Sequence, residues 1–143
     1  MTNPAADCRS RLTHLECSHC GATSPHDRLA TTCPNCGKVL LARYDLAAAA
    51  ATMTPATLHD RPWNLWRYAE ILPVQDVAAA PSLGEGGTPL HEAPALGRDF
   101  GFERLLVKDE GLNPTGSFKA RGLAVAVARA KELAATTVAL PSA

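Results

Sequence analysis

The sequence predicts an α/β protein in two parts: a zinc-ribbon-like unit over residues 1–45 and the start of an open-sheet domain over 63–143, with 46–62 as linker. Three observations carry this reading. Cys17, Cys20, Cys33 and Cys36 form two Cys-x-x-Cys pairs, each followed by glycine. A short apolar run, Leu105-Leu106-Val107, leads through turn residues at 111–117 into a helical pattern from about Phe118 to Ala134. A second run, Thr136-Thr137-Val138-Ala139-Leu140, comes after that helix. Strand, helix and strand in that order predict a parallel pair with a right-handed crossover. Two strands and one helix cannot cover both faces of a parallel sheet, so the chain reads as a truncated piece of a larger domain.

The first unit rests on its cysteines. All five lie in the first 36 residues, and four form the quartet. In an intracellular chain such pairs point to metal rather than disulfides. Two tight turns, each offering two thiolates, complete a closed four-cysteine shell, the structural form of a zinc site with no position left for water. Cys8 stands outside the pattern as a free thiol, and a complete quartet leaves His14, His19 and His26 surplus. Residues 39–44 read as the strand that closes this unit. Arg9, Arg11, Arg28, Lys38 and Arg43 form no basic run and have no interleaved aromatic platform, which argues against nucleic acid.

Residues 46–62, an alanine run and then Thr52-Met53-Thr54-Pro55, read as a solvated connector with a helical turn or two. Leu65, Ala69 and Leu72 then recur at helical spacing up to Pro73. The stretch 82–90, SLGEGGTPL, concentrates glycine and proline where the backbone must adopt unusual angles or approach something closely.

Overall charge sets further limits. Lys+Arg and Asp+Glu number 14 each, so no polyelectrolyte is recognised by bulk charge. The N-terminus has no apolar core of a secretory signal. The run Leu46 to Ala51 falls far short of the roughly 20 residues that span a bilayer. The expectation is a cytoplasmic protein without membrane or nucleic-acid partners.

Lys119 comes just after the turn residues of NPTGSFKARG, at the start of the predicted helix. At about 100° per residue, Arg121, Arg129 and Glu132 share an arc of about 80°, the expected wet stripe, and Lys119 projects about 160° from Arg121. Desolvation and the positive end of a helix dipole favour the free amine at such a position, as a nucleophile or Schiff-base former. A lysine near a helix end can also snorkel to solvent. Lys108 and Lys131 lack this context and read as surface lysines.

NPTGSFKARG closely resembles the cofactor-lysine motif of fold-type II pyridoxal-phosphate enzymes, the tryptophan synthase β-like superfamily. The stretches LVKDEGLNPTGSFK, LGEGGTPL and LWRYAEILPV, behind a four-cysteine unit, resemble the threonine synthase branch, in the right order over residues 17–143. The resemblance implies that Lys119 binds pyridoxal 5′-phosphate as an imine and then moves protons on the substrate. It implies that Phe118 packs beside the cofactor. The implied reaction is carbon–oxygen lyase chemistry, taking O-phospho-L-homoserine and water to L-threonine and phosphate, in a longer parent for which a homodimer is open. Many family members have aspartate after the lysine where this chain has Ala120, which leaves sibling enzymes in play: cysteate synthase, threonine/serine dehydratase or a diaminopropionate-forming enzyme. A non-catalytic zinc-binding module is the alternative of another class.

Overall fold

The computed structural model describes residues 9–140. Cys8 and the end of the chain at 141–143 lie outside the described residues. Strands β1 (Leu12–Cys17), β2 (Thr23–Ser24) and β3 (Leu40–Tyr44) form an antiparallel sheet in the order β2-β1-β3. Leu12 and Cys17 bury the two ends of β1. Each Cys-x-x-Cys turn closes on its glycine: the Gly21 N–H donates to Cys17 O at 3.2 Å and the Gly37 N–H to Cys33 O at 2.9 Å. Both glycines have φ of 70°, which a side chain would strain.

The stretch between the two parts carries helices α1 (Leu46–Thr52) and α2 (Pro55–His59). Asp45 caps α1 by accepting from the Ala48 N–H, and Thr54 and Thr57 form a reciprocal capping box on α2. Next comes a 3-10 helix at Leu65–Ile71, kinked at Tyr68. Its Glu70 is wholly buried and meets Arg61 in two hydrogen bonds, at 2.6 and 2.8 Å. Arg61 also donates to Thr52 O at 3.3 Å, tying the end of α1 to the 3-10 helix. The Arg11 N–H donates to Glu70 O at 2.9 Å, so the cysteine unit is hydrogen-bonded to the 3-10 helix.

Strand β4 (Leu90–Glu92), helix α3 (Pro94–Asp99), strand β5 (Leu106–Lys108) and helix α4 (Lys119–Glu132) complete the order. Helix α4 matches its sequence pattern closely, and β5 lies within one residue of the predicted run. The expected parallel pair is not what forms. β5 pairs antiparallel with β4, Leu90 opposite Lys108 and Glu92 opposite Leu106. Residues 136–140 form no strand, and Val138 and Leu140 are exposed. The reason is pairing: a strand needs a neighbour for its N–H and C=O groups, and 93–105, folded through α3, turns the chain back so that β4 takes that place. Ala69, Val74, Ala120 and Ala128 are among the most buried side chains. No described helix is long and apolar enough to cross a membrane.

Candidate active site and metal centre

The four quartet thiols converge. The Sγ atoms of Cys17, Cys20, Cys33 and Cys36 lie within 4.8 Å of one another. Three contacts are 3.4 Å (Cys17–Cys36), 3.6 Å (Cys20–Cys36) and 3.7 Å (Cys20–Cys33). A tetrahedral shell with metal–sulfur bonds of about 2.3 Å has sulfur–sulfur edges of about 3.8 Å, so these residues fit a zinc-type ion. The backbone supports thiolate: the His19 and Cys20 N–H groups point at Cys17 Sγ, at 3.4 and 3.5 Å. The N–H groups of Cys20 and His19 bring the Cys17 thiol down to about 6. The Lys38 N–H pulls Cys36 the same way, but the neighbouring sulfurs and burial push it up to about 12. A cation at the centre relieves this crowding of like groups. His19 is exposed on the first turn, and His14 and His26 lie outside the cluster.

Lys119, the first residue of α4, lines a cavity of about 620 Å³. Ser82, Thr115 and Ser117 bring hydroxyls to this cavity, and Leu123, Ala124 and Val127 bring apolar surface from successive turns of α4. The expectation that Lys119 faces the apolar side of its helix matches this placement. Glu85 also lines it, a buried carboxylate that accepts from Ser82 Oγ at 2.7 Å and from the Leu83 N–H at 3.1 Å. Burial pulls this carboxyl up, but the Ser82 hydroxyl and the backbone N–H groups hold it below its ordinary range. A primary amine, hydroxyls near a helix N-terminus and an apolar wall fit a pyridoxal-type group, which offers an aldehyde carbon, polar substituents and a flat ring. Phe118 is placed differently: it caps α4, is exposed, and is not among the cavity-lining residues.

A polar network fixes the loops on either side of the lysine. Glu110 Oε2 and Oε1 accept from Arg121 Nε at 2.6 Å and Nη2 at 2.7 Å. Thr88 Oγ1 donates to Glu110 Oε1 at 2.6 Å, and Asn113 Nδ2 to Oε2 at 2.9 Å. Asn113 Oδ1 in turn accepts from the Gly86 N–H at 3.1 Å. Hydrogen bonds from Arg121, then from Thr88, hold the Glu110 carboxyl down at about 2. Arg121 therefore does not belong to a wet stripe. Arg129 and Glu132 are likewise mostly buried and paired at 2.7 Å, with Arg129 also donating to His26 O and Glu132 accepting from the Asp76 N–H. Helical arithmetic places a side chain on an arc but cannot show what packs against it. The signal for Glu110 and Asn113 is the polar run between strand and helix; that for Glu85 is the glycine-rich loop around it.

Residues 81–143 match the pyridoxal-phosphate dependent enzyme family. Threonine synthase of Methanocaldococcus jannaschii is 43% identical over 122 residues, which is 85% of this chain and 30% of that protein. Threonine synthase of Methanosarcina acetivorans is 40% identical over 129 residues, 90% of this chain and 31% of that protein. That of Synechocystis is 49% identical over 72 residues, 50% of this chain and 19% of that protein. The chain thus spans 30–31% of the length of the first two of these relatives. No solved structure gives a significant match. Residues 81–143 thus carry the pattern of the pyridoxal-phosphate dependent enzymes, and the chain is similar to threonine synthases across most of its own length.

Proposed function

We propose that the chain is part of a threonine synthase whose parent converts O-phospho-L-homoserine and water to L-threonine and phosphate. The observation that carries the reading is Lys119, seated at the mouth of α4 in a cavity of about 620 Å³ within the NPTGSFK motif. Pyridoxal 5′-phosphate, when bound, supplies the electron sink for this chemistry. Lys119 Nζ would hold the cofactor by its aldehyde carbon. The same amine, when free, would take and return protons at the substrate carbons, as a general base and acid. Leu123, Ala124 and Val127 exclude water from that face, and Ser82, Thr115 and Ser117 offer hydrogen bonds that orient bound groups. Phe118 is assigned a place beside the cofactor on the resemblance alone.

In this reading Cys17, Cys20, Cys33 and Cys36 hold one structural zinc, 1–45 is the zinc-ribbon domain, 46–62 the linker and 63–143 the opening part of the catalytic domain. Metal-binding rather than disulfide-bonded cysteines suit the cytoplasm.

The test is borohydride reduction of the cofactor-loaded parent, peptide mapping, and assay of phosphate release from O-phospho-L-homoserine. The expected result is the reduced cofactor on Lys119, threonine as product, and loss of turnover in Lys119→Ala with some cofactor still bound. Label on Lys108 or Lys131 refutes the lysine assignment. Deamination of threonine or serine with no use of the phosphate ester would assign a sibling activity.

A further inference from the structure

A second cavity, of about 330 Å³, lies away from Lys119 and shares no lining residue with the lysine cavity. Arg67, Lys108 and Arg121 bring three cations to it, and Trp63 and Tyr68 form aromatic walls. Glu110 is the one carboxylate among the lining residues, and it is already engaged by Arg121 through two hydrogen bonds. Among the described residues, neither Arg67 nor Lys108 takes part in an ion pair with a carboxylate. The cavity therefore carries an excess of about two positive charges, a count of three cations against one anion.

Its donors are also incompletely used. Arg67 is 7% exposed, yet its buried Nε has no hydrogen-bond partner among the described residues. Its guanidinium sits 4.3 Å from the Trp63 ring and, among the described residues, donates only to Leu58 O. The stacking offsets part of the cost of burial but leaves the charge in place. Lys108 Nζ donates to Thr88 O, and Arg121 Nη2 to Thr88 Oγ1 at 3.1 Å. One residue thus holds two of the cations side by side. Lys108 retains further N–H groups, and no bond in the network uses Arg121 Nη1. Like charges bonded to one residue repel, and the lining carboxylate, Glu110, is bonded to Arg121 and not to Lys108.

We propose that this cavity is an oxyanion site for a phosphate-class ligand, either the free ion or the head of a phosphomonoester. Arginine forks beside a lysine match the geometry and charge of phosphate. Trp63 and Tyr68 line the same cavity and give an attached aromatic group a surface to pack on.

The experiment is calorimetric titration of the zinc-loaded chain with inorganic phosphate, ionic strength held constant with chloride. Saturable binding of one phosphate per chain is expected, weakened about tenfold in Lys108→Ala, as for a lost charged hydrogen bond. Lys108→Arg should retain it, and Lys131→Ala, on the far part of α4, should leave it unchanged. Lys108 is exposed, so its replacement spares the fold; near-ultraviolet circular dichroism matching the parent chain checks this. Phenyl phosphate binding more tightly than phosphate identifies a phosphomonoester site, and equal binding a site for the free ion. No saturable heat above the chloride control, or binding that ignores Lys108→Ala, overturns the proposal. Neither outcome bears on the label at Lys119.

Discussion

Glu110 joins two loops to a helix: Thr88, Asn113 and Arg121 all donate to its carboxylate. Its carboxyl sits at about 2 when folded, below the roughly 4.3 of a free glutamate. A group lowered on folding adds stability above its unfolded value and loses it as pH falls through the folded one. The contribution should be intact at pH 5 and fade between about pH 4 and 2. Arg121→Ala is expected to return the Glu110 carboxyl toward its ordinary range and move the acid unfolding limb to higher pH; carbon NMR of the carboxyl against pH measures both. Glu70 offers a harsher case, because it has no exposure at all and its partner Arg61 is largely buried. Glu70→Ala leaves that arginine without its carboxylate and should cost about 3–5 kcal/mol in a denaturant titration.

Among the three positive-φ glycines of loop 84–88, Gly84 and Gly87 have different reasons for being glycine. Gly84 has φ of 89° and open space around it, whereas a Cβ on Gly87 would lie 2.5 Å from Trp63 Cδ1 and from Trp63 O. Gly84→Ala should therefore cost only backbone strain, about 1–2 kcal/mol. Gly87→Ala should cost more and also displace the Trp63 indole, which donates to Gly87 O at 3.0 Å; tryptophan emission with a denaturant curve separates the two. For the cysteine unit, one zinc per chain is expected, lost in Cys33→Ser, with elemental analysis as the check. These elements differ in how plainly the sequence announces them. The quartet, α4 and the strand at 40–44 each carry their signal in local spacing or periodicity. Leu90-His91-Glu92 carries none, because it is a strand only by virtue of β5 beside it. Residues 136–140 show the converse, a strand-like composition with no partner for its ladder. Arg121 departs from its expected wet stripe for a related reason: its partner Glu110 lies on a separate loop, invisible to any count along the helix.

At the scale of the molecule, the lysine cavity has a wall from α4 and a rim from the 81–85 and 115–117 segments. The first two relatives are matched over 30–31% of their length. The chain expressed by itself is thus expected to release no phosphate from O-phospho-L-homoserine and to lose added cofactor on gel filtration; turnover with retained cofactor would show that the parts present suffice. The contact between Arg129 and His26 O has a consequence for how such a protein answers its surroundings. Residue 26 lies in the segment between the two cysteine pairs, and residue 129 lies on the helix that begins with Lys119. With zinc in the quartet, an ion that binds the folded form alone adds RT ln(1 + [L]/Kd), about 2.7 kcal/mol at one hundred times its Kd. Through the bond from Arg129 to His26 O, that increment is expected to extend to the helix. Where zinc fills the quartet, the melting temperature of the region around Lys119 is then expected to rise and fall with free zinc, a trace nutrient whose ligands lie outside the lysine cavity.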